Sequence, residues 1–250
     1  MENTIEFTQS GDIARLVLNN PARHNALGQQ EIAQIASALA SLAPDTRVLV
    51  IQSGGGSTFC SGAALDQITS GQLSGDQFQA MTNSIAALPI PTVCCLNGNV
   101  FGGGVELAMS CDFRIGVTGA VMRVPAAAIG LCYPIDGIDR LISRLGINAA
   151  KRILVAAEEL TSEEMLSLGI IGDIAPRELI LDVTSDMAAA LARLAPLAVH
   201  AMLNIFAQAE AGGIDRVRAF ELAERCASSE DLQEGLLAKK ERRPPQFRGR

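Results

Sequence analysis

Apolar and polar positions alternate with period two in TIEFTQ and again in IARLVLNN, and the intervening SGD has turn composition, so the chain is expected to open with a β-hairpin. In GQQEIAQIASALASLA the apolar positions Ile32, Ile35, Ala36, Leu39 and Leu42 recur at helical spacing. RVLVIQS then reads as a buried strand, ended by Gly54, Gly55 and Gly56. The next helical pattern, GDQFQAMTNSIAALP, stops at Pro89, and PTVCCLNG follows as another apolar strand. Strand and helix keep alternating, which predicts an α/β fold. From about residue 146 the pattern is mostly helical: GINAAKRILVAA, TSEEMLSLG and the long stretch from Arg177 to Lys240, with IIGDIA as one last short strand. Thr161 followed by Glu164 has capping-box spacing and marks a helix start. The expected division is an α/β core over 1–190 and a helical part over 191–250, with no visible internal repeat.

Composition changes this picture little but excludes several functions. A chain of 250 residues, 48% hydrophobic and 19% charged, buries a sizeable core in one or two domains. It has no 18-residue apolar run and no secretory leader pattern at its start, so the expectation is a soluble, cytoplasmic protein without a membrane partner. Cys60, Cys94, Cys95, Cys111, Cys132 and Cys226 lie in apolar surroundings without metal-ligand spacing, and only His24 and His200 could assist them. The six read as reduced thiols packed as small hydrophobes, with no metal site. His200, in APLAVHAMLN, reads as a helix-packing residue. A net charge of −7, one tyrosine and no tryptophan argue against nucleic acid as a partner. The basic tail KKERRPPQFRGR is either a solvated terminus or a local anion site.

Candidate chemistry concentrates in NVFGGGVELAMSCD, residues 99–112. Gly102, Gly103 and Gly104 expose backbone N–H groups to close approach, and VELAMS fits a helix that begins directly after them. Such a turn can hold an anion or an oxyanion, or can serve packing alone. The spacing matches neither the P-loop nor the dinucleotide fingerprint. Glu106 is the candidate general base; the alternative is an acidic residue favoured in a helix's first turn. Flanking Val105, Leu107 and Met109 would desolvate it and poise it for proton transfer.

A second small-residue turn, Ser61-Gly62-Ala63-Ala64, follows a buried strand in STFCSGAALDQI. Together the two segments resemble the paired oxyanion-hole motifs of the enoyl-CoA hydratase/isomerase, or crotonase, superfamily. NNPARHNAL, IGLCYPIDGIDRLISRLG and the C-terminal ERCASSEDLQEGLLAKKERRPPQF resemble its other landmarks in the same order, so the likeness spans nearly the whole chain. It implies a spiral of ββα units that binds acyl-CoA thioesters, followed by a helical oligomerisation region that forms a homotrimer or a dimer of trimers. Coenzyme A enters as part of the substrate, and no separate cofactor is implied.

By this resemblance the N–H groups of Ala63 and Gly103 hold the thioester oxygen. Hydratases of the family use two glutamates, one at the position of Glu106 and one in the segment matching VPAAAIG, where this chain has Ala126. A single carboxylate suits a Δ3/Δ2-enoyl-CoA isomerase, which is the first expectation. GLCYPIDGI resembles the corresponding segment of methylmalonyl-CoA decarboxylase, in which a tyrosine placed like Tyr133 contacts the substrate carboxylate; that enzyme has histidine where this chain has Ala63. Asp136 matches a position where some family isomerases carry a catalytic acid, or it caps the helix GIDRLISRLG. A hydratase with Asp136 or Tyr133 replacing the missing acid, and a non-catalytic acyl-CoA-binding trimer, remain as alternatives. The resemblance places Arg23, His24, Ala26, Cys60 and Leu65 along coenzyme A, with Phe247, Arg242 and Arg243 closing over it. Acyl-chain length would depend on loop residues near 67–82 and 120–135.

Overall fold

The computed structural model describes residues 3–250. The opening hairpin forms as expected: β1 (Ile5–Ser10) pairs antiparallel with β2 (Ile13–Leu18) about a turn in which Gly11 takes a left-handed φ of 60°. The helix α1 (Gln29–Ala40) follows, and then three successive strand pairs: β3 (Val48–Ser53) with β4 (Thr58–Cys60), β5 (Thr92–Leu96) with β6 (Asn99–Phe101), and β7 (Phe113–Val117) with β8 (Val121–Arg123).

The first strand of each pair joins one sheet and the second joins another. The six-stranded sheet has the order β1-β2-β3-β5-β7-β10, closed by β10 (Asp173–Ala175), and is parallel from β2 onward. The four-stranded sheet has the order β4-β6-β8-β9, with the two-residue β9 (Leu160–Thr161) antiparallel at its edge. Helices return the chain after each pair: α2 (Leu65–Thr69) and α3 (Gly75–Ala86) after β4, α4 (Gly103–Met109) after β6, and α5 (Ile135–Leu154) after β8. This is the spiral of ββα turns that the resemblance implies. The strands β3 and β5 are buried almost throughout, which is why they read as unbroken apolar runs rather than as alternation.

Several boundaries differ from the sequence expectation. Residues 67–82 are not a loop: α2 and α3 cover most of them, and Ser74 caps α3 by accepting from Gln77 N at 3.1 Å. α4 starts inside the glycine run, at Gly103, and not after it. The helix α5 begins at Ile135, far ahead of GINAAKRILVAA, and breaks at Gly146, whose φ of 78° lies outside the helical region. The expected capping box is present: Thr161 Oγ1 accepts from Glu164 N at 3.3 Å at the start of α6 (Ser162–Ser167).

Four helices complete the chain: α7 (Ile180–Ala192), α8 (Pro196–Glu210), α9 (Arg216–Ala227) and α10 (Glu230–Glu241). α7 lies on the six-stranded sheet and buries Ile180, Thr184 and Ala188. His200 on α8 is exposed. The tail folds back on α10, where Asp231 accepts from Arg248 N at 2.7 Å and Gly249 N at 2.9 Å. Among the described residues no single helix is long and apolar enough to cross a membrane, and no group of three metal-ligating side chains gathers.

The core also sets thiol reactivity. Cys60, Cys94, Cys95 and Cys111 are buried, whereas Cys132 is exposed. Burial pushes the Cys60 thiol up to about 12 and the Cys95 thiol up to about 11, which leaves almost no thiolate at neutral pH. In the native protein Cys132 should therefore react with an aromatic disulfide reagent at pH 8 while these four stay unmodified until the chain is unfolded. Peptide mapping after labelling checks this.

Candidate active site

Two turns meet where the four-stranded sheet brings β4 beside β6. Beyond β4, Gly62 takes φ 92°, and beyond β6, Gly102 takes φ 50°; both conformations suit glycine. The close approach also demands glycine. A methyl group at Gly62 would overlap Gly103 N and lie 3.0 Å from Gly103 Cα, and one at Gly104 would overlap the carbonyl of Cys60. A methyl group at Gly103 would lie 3.2 Å from Ala63 N and 2.6 Å from the ring of Phe78.

The first turn is held from behind by the chain segment 24–27. Leu27 N donates to Gly62 O at 2.8 Å, Ala64 N donates to Leu27 O at 2.9 Å and Ser61 N donates to His24 O at 3.0 Å. In this parallel bridge of Leu27 with Ala63, the N–H of Ala63 faces away from residue 27 and has no acceptor among the described residues. Gly103 N is the first of α4 and has no acceptor within the helix. Two free backbone donors therefore stand side by side.

Glu106 follows one turn into α4 and is 2% exposed. Val105, Leu107 and Met109 join the core around it, as expected, but its carboxylate does not face an apolar wall. Arg140 of α5, with a side chain 9% exposed, forms an ion pair with Glu106 Oε1. Gln79 Nε2 donates to the same oxygen at 3.4 Å, and Tyr133 OH donates to Oε2 at 3.4 Å. Arg140 also donates to Asn83 Oδ1 at 2.6 Å, and Asn83 Nδ2 donates to Asp136 Oδ2 at 2.9 Å. A buried carboxylate is costly unless it is paired and hydrogen-bonded, and this collar supplies both. Gly137 leaves room for it: a methyl group there would lie 2.6 Å from the Tyr133 ring and 2.7 Å from Glu106 Oε2. Tyr133 is pushed well above the usual phenol range, first by burial and then by the neighbouring Glu106 charge, so it stays a protonated donor.

Comparison with known proteins settles the family. The sequence profile described as enoyl-CoA hydratase/isomerase matches residues 8–250. The chain belongs to the enoyl-CoA hydratase/isomerase family. Among its relatives, the "Probable enoyl-CoA hydratase" of Mycobacterium tuberculosis is 31% identical over 255 residues, 98% of this chain and 99% of its own. The 2,3-dehydroadipyl-CoA hydratase of Escherichia coli is 29% identical over 241 residues, 94% of each chain. A solved crystal structure of an enoyl-CoA hydratase/isomerase family member superposes with a TM-score of 0.90 at 28% identity, covering 98% of this chain and 97% of that one.

Other residues singled out for this family lie as follows. Ala126, which the resemblance sets at the position of the second glutamate, is buried and apolar. Asp136 is exposed and sits inside the first turn of α5; Pro134 occupies the cap, so the N-cap expectation for Asp136 is overturned. Arg23 is exposed and already donates to both oxygens of Asp66 at 2.8 Å. His24 Nδ1 lies 3.3 Å from Thr58 Oγ1, Ala26 N donates to Arg23 O at 3.0 Å, and Leu65 is 63% exposed. Cys60 is enclosed, its thiol donating to Asn25 O at 3.2 Å. Arg243 forks onto Glu234 at 2.6 and 2.8 Å, Arg242 is the left-handed cap of α10, and Phe247 packs against Gly235.

Sequence reasoning missed Gln79, Asn83, Gly137 and Arg140. Arg140 carried one faint signal, a cation four residues beyond Asp136 in the segment that matched the family. Replacing it with methionine should destabilise the protein by about 3–5 kcal/mol, because Glu106 is left as an unpaired buried charge. Adding Glu106→Gln to Arg140→Met should restore most of that loss in a urea titration.

Proposed function

We propose that the protein acts on acyl-CoA thioesters through an enolate, in a Δ3/Δ2-enoyl-CoA isomerase-type proton transfer. The observation that carries this reading is one buried carboxylate, Glu106, next to the two free N–H groups of Ala63 and Gly103, with apolar Ala126 where a second glutamate would stand. Glu106 takes a proton from C2 of a 3-enoyl thioester. The electron pair moves onto the thioester oxygen, held by the two backbone donors, and the same carboxyl returns the proton at C4. One acid–base group is sufficient for this sequence, whereas adding water calls for a means of holding that water as well.

The charges around Glu106 favour this reading over decarboxylation. Tyr133 offers a donor, but Arg140 is already answered by Glu106, and Asp136 adds a further negative charge through Asn83. A substrate carboxylate would find no spare cation there. Coenzyme A is part of the substrate in this proposal, and the protein works in the cytoplasm as a homotrimer or a dimer of trimers. The solvent-facing Phe206, Val217 and Phe220 of the C-terminal helices support self-association.

Incubating the protein in D₂O with 3-enoyl-, 2-enoyl- and methylmalonyl-CoA, with mass detection of products, tests the assignment. The expected outcome is conversion of the 3-enoyl to the 2-enoyl ester without gain of water. Glu106→Gln should lower that rate about 10²–10⁴-fold and still bind the ester. Loss of CO₂ would instead support the decarboxylase alternative, and binding without turnover would support a non-catalytic acyl-CoA carrier.

A further inference from the structure

Three arginines from separate parts of the chain line a cavity that contains none of the candidate active-site residues. The cavity, about 560 Å³, opens where the chain enters β3 and β5, whereas the two glycine turns follow β4 and β6. Arg47 stands at the entry to β3, Arg225 lies on α9 and Arg248 belongs to the tail. None of the three forms an ion pair among the described residues. Asp45, the carboxylate in the wall, is exposed and forms none either. Glu234 of α10 senses the charge of Arg248, but its oxygens are committed to Arg243 and to Gln246 N. Arg47 is held in place, because its guanidinium donates to Ala192 O at 3.1 Å and to Phe247 O at 2.6 Å and still has N–H groups to spare.

Between the cations the walls are apolar. Pro91 comes from the entry to β5, Leu191 from the end of α7, and Leu194 and Leu197 from the start of α8. Leu194 is 47% exposed, so a large apolar side chain meets solvent there. Unanswered cations beside apolar walls call for a ligand with both a negative charge and an apolar body. A guanidinium takes a carboxylate through two parallel hydrogen bonds, and a cavity of this volume can enclose a small molecule. An inorganic phosphate would leave the apolar walls wet, and a neutral lipid would leave the arginines repelling one another. We propose that this cavity binds a free fatty carboxylate of medium chain length. Its head group sits among Arg47, Arg225 and Arg248, and its chain lies along Leu191, Leu194 and Leu197. The site is separate from the one beside Glu106, and the inference does not rest on the reaction proposed above.

The chain has no tryptophan, so Leu194→Trp sets a single fluorescent reporter in the wall. Decanoate added to this full-length variant should shift its emission to the blue, and decanol should need about tenfold more to do the same. In calorimetry on the protein without the reporter, binding should tighten about tenfold from octanoate to decanoate. Replacing the exposed Arg225 and Arg248 together, as Arg225→Glu with Arg248→Glu, should weaken decanoate by about tenfold or more. Decanoate binding that persists unchanged in the double variant, or that leaves the reporter's emission unmoved, places the ligand elsewhere and overturns the inference. An emission already blue in the free protein and indifferent to decanoate also overturns it, since a second copy of the chain then covers the cavity. Failure of the wild type to bind decanoate overturns it too and leaves the acyl-CoA reading intact.

Discussion

The meeting of two glycine turns, one after β4 and one after β6, is the constraint on which the rest of the site depends. Gly62, Gly103 and Gly104 approach so closely that a single Cβ on any of them would strike the facing backbone or the Phe78 ring. That contact exists only because β4 and β6 are neighbours in the four-stranded sheet, and this in turn follows from a spiral that sends the second strand of each pair to the same sheet. The architecture thereby turns two ordinary peptide N–H groups into a convergent pair. Backbone donors on a rigid frame need no reorganisation when charge develops, which is the condition for stabilising an enolate oxygen.

Glu106 inherits its place from the same contact, because α4 starts at Gly103 and carries the carboxylate one turn further. The end of that helix is tied down as well. Arg144 donates to the carbonyls of Met109 and Cys111, and Asp112 Oδ2 accepts from Thr92 N at 2.8 Å at the mouth of β5. The carboxylate is then burdened with its own desolvation, which Arg140 offsets. A base in this setting must be both buried and charged, and an adjacent guanidinium allows both. The arrangement also explains Gly137: any side chain there would separate Tyr133 from Glu106.

The strands and most helices were legible because burial leaves a period, two for the opening hairpin and 3.6 for α1 and α3. The glycine turns and Glu106 were legible because close backbone approach restricts residue choice. Arg140 and Gln79 were hidden for a physical reason: both lie on helices where polar residues at those positions read as a solvated face, and only the packing of α3 and α5 around α4 turns them inward. Asp136 was misread as a cap because α5 starts at Ile135, capped by Pro134, two residues earlier than the periodicity of GIDRLISRLG indicated. Arg23, which the resemblance set along coenzyme A, pairs in this structure with Asp66, 43 residues away in sequence. The segment around it serves as a brace for the Ala63 turn, a role that no local pattern announces.

The most direct measurement of the central claim is the infrared carbonyl stretch of an acyl-CoA labelled with ¹³C at the thioester carbon, free and bound to the protein. Two converging N–H donors at Ala63 and Gly103 should polarise the carbonyl and shift its band to lower frequency on binding. A bound ester whose carbonyl band stays at the position seen in water would contradict the account.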